Sequence, residues 1–386
     1  MTLHDTTEFS KKFGVASVLG IVGIIVLVLF FKMGVFVKNI IFPPAIAPAD
    51  QAYGKIPQLL FPESSVKGEF TYTIDTLDGT LPTEFPDRVN LYPMIVRLPD
   101  IQGLTTSKAR VQALDFNDSQ GNPLTEIALD GSRYEWDEPT GLQRKIIFNT
   151  TTQNFTLTSQ YLTSLTALNG SNVGNQEEAF NAVQSFLHNV NSMTDDIDIT
   201  LTQNPDTEMH YVSKPQMFAI ENGELIPATS LSKTQVFKVS LYQKAIEYKI
   251  IAGREGQLTH FQNFDMKLPI VYPNPPNSTI NFIVASGNNG PEVVMANYNH
   301  QTINLKPDKM TTYPILTTKE AYDALQKGNG YIAAYSGTDS QIFINKVYLA
   351  YYLDEKIDQY LMPVYVFEGK DGFFGYVSAI KPEAME

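Results

Sequence analysis

The run QIFINKVYLAYYLDEKIDQYLMPVYVFEGKDGFFGYVSAI (residues 341–380) reads as three antiparallel strands joined by the polar turns DEKIDQ and EGKDG. Side chains alternate along a strand, so Val347, Leu349, Tyr351 and Leu353 fall on one face and Tyr348, Ala350 and Tyr352 on the other. Both faces are apolar, and each therefore needs a cover. The helix EAYDAL (320–325) is the expected cover for the first face, and another element must lie on the second. If that element is missing, the aromatic strands leave a Tyr-lined groove as the natural interaction site.

Working outward, the order of elements repeats. Thr317-x-x-Glu320 opens EAYDAL and Asn175-x-x-Glu178 opens EAFNAV, both with the spacing in which a polar N-cap bonds the N3 amide and Glu reaches back. Phe180, Val183, Leu187 and Val190 form the apolar stripe of the earlier helix, and Ala321, Tyr322 and Leu325 form a shorter one before Gly328 and Gly330. A hairpin pattern precedes each helix (144–160 and 280–298), and a long strand follows each (234–243 and 340–349). The shared order predicts a duplicated module, stretched in its first copy by an insertion near 195–226. Ahead of it, 68–74, 91–98 and 108–116 read as strands, separated by turns at 77–80, 117–123 and 129–132. Trp136, the sole tryptophan, reads as a core or edge anchor.

Residues 13–31, FGVASVLGIVGIIVLVLFF, carry no charge and would span roughly 28 Å as a helix, which predicts a transmembrane signal anchor over 13–37 after a cytoplasmic tail at 1–12. Lys11 and Lys12 before the run are matched by Lys32, Lys38 and Lys55 after it, so a count of positive charges leaves orientation open. The low charged content, 18%, favours the bulk of the chain lying outside the cytoplasm. Prolines 43, 44, 48, 57 and 62 mark an extended spacer over 38–65, although Ile56, Leu59, Leu60 and Phe61 would equally pack onto the first domain. The resulting fold class is α+β and strand-rich. A single N-terminal transmembrane helix leads into an all-β region (66–140) and two helix-on-antiparallel-sheet modules (141–270 and 271–386).

The 386 residues contain no cysteine, which excludes disulfides, thiolate zinc sites and cysteine nucleophiles. A net charge of −13 argues against nucleic acid as a partner. His4, His188, His210, His260 and His300 are scattered, without the helical spacing of a zinc site, and His188 lies beside the stripe of its helix in a structural role. Ser107–Lys108 and Ser232–Lys233 are adjacent pairs that strand geometry turns to opposite faces. Asp115, Asn117, Ser119 and Glu126 approximate the spacing of a calcium loop, but glycine comes one place late and Pro123 occupies the ninth position, so a hairpin loop is the better reading. Asp195, Asp196 and Asp198 form a second acidic group that a solvated loop explains equally well. Asn149, Asn154 and Asn277 head N-x-[ST] triplets of the kind expected by chance in an Asn- and Thr-rich chain. No catalytic, cofactor-binding or metal residue is assigned, and no cofactor is expected.

Residues 317–380, a short helix reading kEAydAL followed by VYLAYY, LMPVYVFEG and GYVSAI with Pro363, resemble the PepSY-type module and its relatives in the YycH and YycI extracytoplasmic regulators. The resemblance covers under a fifth of the chain. It implies a membrane-anchored, extracytoplasmic binding protein that tunes a membrane or envelope partner, such as a sensor kinase or a peptidase, by protein contact and without catalytic residues. The alternatives are a structural cell-surface or adhesion protein, and a carboxylate-based envelope hydrolase.

Overall fold

A computed structural model describes residues 24, 26–30, 32–33, 48–99, 102–169, 173–201, 213–254, 257–356 and 358–386. In chain order the labelled elements are β1 (Thr71–Ile74), β2 (Arg88–Pro93), α1 (Gln102–Ala113), β3 (Ile127–Ala128), β4 (Arg133–Asp137), β5 (Lys145–Asn149) and β6 (Phe155–Thr158). There follow α2 (Leu165–Asn169), α3 (Gln176–Asn189), β7 (Ile197–Asp198), β8 (Gln216–Glu221), β9 (Glu224–Pro227), β10 (Val236–Gln243), β11 (Ile246–Arg254) and β12 (Gln257–Leu268). The last are β13 (Ile270–Val271), β14 (Ile280–Gly287), β15 (Gly290–Tyr298), β16 (Thr311–Pro314), α4 (Thr318–Gln326), β17 (Tyr331–Ala334), β18 (Gln341–Tyr352), β19 (Tyr360–Gly369) and β20 (Phe374–Ser378).

One sheet runs β3-β4-β5-β6-β15-β14-β10-β8-β9, with β7 added on β10. It is built from hairpins whose alternating apolar residues line two buried faces. On one face α3 sets Phe180, Val183 and Leu187 against Phe148, Phe237, Val239 and Phe282, with Trp136 buried among them. On the other, Tyr161 and Ala167 cover Val236, Ile283 and Val294. The N-cap of α3 is as its spacing requires: Asn175 Oδ1 accepts from the amides of Glu177 and Glu178 at 2.9 and 3.0 Å, and Glu178 Oε2 accepts from Asn175 N at 2.8 Å.

The second sheet runs β1-β18-β19-β2-β16, with β13 on β18, β20 on β19 and β17 on β20. Its centre is the closing run, and the two faces of β18 are those its alternation requires. Leu349, Tyr351 and Leu353 pack with Ala321 and Leu325 of α4, while Ala350 and Tyr352 join Tyr331, Val364 and Tyr376 on the reverse. The second face is covered by the segment after Pro57: Phe61 stacks on Tyr331 at 5.2 Å and meets Tyr352 edge-on at 5.1 Å. Ile56 is fully buried in the first core, and its amide donates to Ala384 O at 3.1 Å. Of the four apolar residues in this segment only Leu60 is left exposed. The Tyr-lined groove is therefore closed, because residues 48–65 form a strap across the sheet. A separate two-stranded ribbon, β11–β12, turns Tyr248 and Met266 toward the core and the pairs Glu247–Lys267 and Lys249–Asp265 toward solvent.

Several expectations are corrected. Among the described residues no helix is long and apolar enough to cross a membrane. Ile24, Val26–Phe30, Lys32 and Met33 are helical and exposed. The rest of the predicted anchor at 13–37 lies outside the described residues, and the transmembrane, signal-anchor and single-pass reading is withdrawn. The architecture of an all-β region followed by two modules is also overturned. The hairpin β14–β15, assigned to the second module, pairs through Phe155–Tyr298 and Leu157–Ala296 with the hairpin of the first, in a single sheet. The closing strands instead recruit β1 and β2 from the region before both modules. Finally, 108–116 is not a strand: α1 buries Gly103, Ser107 and Val111 at four-residue spacing. These small residues serve close approach, since a Cβ on Gly103 would stand 2.2 Å from Thr150 O.

Candidate functional site

Polar chemistry concentrates where the two sheets meet. Asp196, just before β7, Gln243 at the end of β10, and His300 and Gln301 just after β15 come together beneath the β18–β19 turn. His300 Nε2 lies 3.0 and 2.9 Å from the two oxygens of Asp196 and 3.3 Å from Thr194 Oγ1. A carboxylate only accepts, so the ring carries a proton on Nε2. Gln243 Nε2 donates to Asp196 Oδ2 at 2.9 Å and to Gln301 O at 3.0 Å. Gln301 Nε2 crosses to the other sheet, donating to Asp354 O at 2.5 Å and to Lys356 O at 3.2 Å, and Asn299 Nδ2 reaches Glu355 O at 2.9 Å. Burial pushes the Asp196 carboxyl up, but the hydrogen bond and charge of His300, with Thr194 and Gln243, outweigh it and hold the group at about 2.

This cluster contains a hydroxyl, an imidazole and a carboxylate without forming a nucleophilic triad. A triad places the nucleophile and the orienting acid on opposite nitrogens of the imidazole base. Here Thr194 and Asp196 both address Nε2, and the arrangement acts as a clamp between the sheets.

Beside the clamp opens a polar cleft of about 310 Å³, whose lining includes Lys238, Asn274, Asn277, Asp354 and Glu355. Lys238 projects from β10 on the face opposite Phe237 and Val239, and its Nζ donates to Asn277 Oδ1 at 2.7 Å. Burial pulls its pKa down. The adjacent wall is fixed by internal bonds: Thr279 Oγ1 donates to Asn299 O at 2.8 Å, Ser240 Oγ to Asn281 Oδ1 at 2.7 Å, and Tyr242 to Pro276 O.

The residues singled out from sequence do not converge on a site. Glu126 is paired with Lys108 at 2.6 Å, and the loop at 117–123 is closed by Asp118, which accepts from the amides of Gln120 and Asn122 at 2.8 Å. Asp198 accepts from Thr200 N at 2.9 Å, and Asp195 contributes a backbone oxygen to Lys244. No group of three or more metal-ligating side chains occurs among the described residues. Ser107 Oγ donates to Gly103 O at 3.0 Å, and Ser232 pairs with Ser230. His188 is exposed on α3 rather than packed in a structural role, and His4 and His210 lie outside the described residues. Asn149 caps the turn that follows it, Asn154 bonds Asn299 at 2.9 Å, and Trp136 is buried in the core. Lys238 and Gln243 escaped sequence reading because each sits in an ordinary strand pattern. The proximity of Asn277 to Lys238 has no local signature.

No protein-family model and no curated protein matches the chain, so the PepSY-type resemblance rests on residues 317–380 alone. Among solved structures the chain is similar to an uncharacterized protein from Eubacterium rectale ATCC 33656, with 12% sequence identity, coverage of 77% of this chain and 87% of that one, and a TM-score of 0.36.

Proposed function

We propose that this protein is a non-catalytic, extracytoplasmic binding protein that regulates an envelope protein through an apolar rim at one end of the second sheet. The observation that carries this reading is the exposure of Ile95 (42%), Val96 (63%), Leu98 (81%), Leu305 (51%) and Met310 (42%) on two neighbouring segments. Backbone pairing brings those segments together: Ile95 N donates to Thr302 O at 2.9 Å and Asn304 N to Pro93 O at 3.0 Å. Apolar side chains gathered on a surface are a common mark of protein contact. Arg97 and Lys306 stand among them with no ion pair to any described residue, in a chain of net charge −13. The matching partner surface is apolar with acidic residues around it. An extracytoplasmic location is supported by the low charged content.

The test is a photo-crosslinking amino acid placed at Val96 of the full-length protein in cells. One dominant crosslinked protein, lost when Leu98→Glu and Leu305→Glu are added and absent when the crosslinker sits at exposed Leu77, is the expected result. A crosslinked product containing only this chain, matched by concentration-dependent self-association in sedimentation, would replace the reading with a structural, self-assembling one. Location is read separately from Ser65→Cys, an exposed site in a chain without other thiols. An impermeant thiol reagent should label it in intact cells, and labelling only after lysis would place the protein in the cytoplasm.

A further inference from the structure

The cleft beside the clamp holds both signs of charge without pairing them. Lys238 is half-buried and makes no ion pair among the described residues, although Asp354 and Glu355 line the same cleft. Its ammonium group has three hydrogens, and one of them is directed to Asn277 Oδ1. Asn277 thereby accepts through Oδ1, and its Nδ2 remains a donor on a residue that lines the same cleft. Around this pair the wall is stiff. Ser278 Oγ bonds the backbone of Ile280, Thr279 is tied to Asn299, and Asn281 is held by Ser240. These groups have spent their valences on structure, and Asp354 Oδ1 accepts from Glu355 N at 2.6 Å, whereas among the described residues two Lys238 hydrogens, the Asn277 amide, Asp354 Oδ2 and the Glu355 carboxylate make no such bond. A half-buried cation with no counter-ion is costly, and burial already biases it toward the neutral form. Lysines normally extend into solvent or find an acid. The volume, about 310 Å³, lies at the lower end of the range for small-molecule sites.

We propose that this cleft binds a small zwitterion of the amino-acid or dipeptide class, its carboxylate on Lys238 and Asn277 and its ammonium group on Asp354 and Glu355. A carboxylate supplies the counter-ion that Lys238 lacks, and two donor groups suit its two oxygens. An ammonium group at the other end meets the acids that stand too far from Lys238 to neutralise it. The site is independent of the apolar rim, and its failure would leave the partner-binding reading untouched.

The experiment titrates the full-length protein by calorimetry with each of the twenty L-amino acids and with L-alanyl-L-alanine. Acetate, methylamine and D-glucose serve as single-feature comparisons. Saturable binding of at least one zwitterion, weakened tenfold or more by Lys238→Met and by Asp354→Asn, is the expected result. The absence of saturable binding by any zwitterion overturns the proposal, as does binding that either substitution leaves unchanged. Acetate binding as tightly as the best zwitterion would reduce the cleft to an anion site and overturn the two-ended reading. A melting experiment without ligand keeps the Lys238→Met result interpretable. Removing an unpaired half-buried charge should leave the melting temperature unchanged or raise it, whereas a fall of several degrees would make Lys238 a structural residue and sink the proposal.

Discussion

The ten-stranded sheet and the eight-stranded sheet bury similar apolar faces under a capped helix, but they collect their strands differently. In the first, hairpins such as β4–β5, β5–β6, β8–β9 and β14–β15 pair neighbours in sequence, and among the described residues its ladders are all antiparallel. In the second, the closing hairpin is completed from far away. β1 and β13 lie parallel to β18, Tyr351 Oη donates to Asn90 O across 261 positions, and Gln58 Nε2 reaches Glu386 O across 328. Closing such loops costs entropy that grows only slowly with length, so the distant pairings are thermodynamically tolerable but are made late in folding. The first sheet is built from local hairpins joined by longer-range ladders such as β6–β15, whereas the second leaves one aromatic face bare until residues 48–65 lie across it.

That contrast can be broken most forcefully in the first sheet. Phe237→Ala removes a fully buried ring from its core and should cost about 4 kcal/mol in urea unfolding. Trp136 lies in the same core, so its fluorescence reports this sheet alone, while circular dichroism reports both. Ile56→Ala, which empties a buried position in the strap, should cost about 3 kcal/mol. Its effect should appear first in circular dichroism. A parallel shift of the Trp136 transition by the same amount would show that the two sheets unfold as one unit and would erase the distinction.

The two N-caps sharpen the comparison at smaller scale. Asn175→Ala and Thr317→Ala each remove a cap in a complete capping box and should cost about 1 kcal/mol. Only the first should move the Trp136 transition. The smallest effect is on acid stability. The folded pKa of Asp196 is depressed, so its contribution is fully present above the unfolded value of about 3.8 and is lost as pH falls toward about 2. The wild-type protein should therefore lose stability across that window more steeply than Asp196→Asn, as measured by thermal melts at several pH values. Glu320, whose carboxylate accepts from the Thr317 backbone, is lowered in the same direction and adds a similar but weaker dependence in the second sheet.

Elements with strong local patterning were legible. Both capping boxes, the hairpins at 144–160 and 280–298, and the two faces of β18 stand where their spacing requires, since each depends on residues within a few positions of one another. Helix α1 was not legible as a helix because its buried face is Gly103, Ser107 and Val111, and small residues give little hydrophobic periodicity. The candidate cleft was less legible still. Lys238, Asn277 and Asp354 come from three separate segments, and the only hint, a charge inside the apolar strand VFKVSL, has no direction in sequence alone.

By itself the chain determined its strand-rich character, the starts of its two capped helices and the need to cover both faces of the closing strands, because backbone preference and side-chain alternation are set by near neighbours. Which hairpin joined which sheet, what covered the second aromatic face, and which charges came to share a cleft were decided only in three dimensions. Those outcomes depend on burial traded between segments hundreds of residues apart, and no local pattern records such a trade.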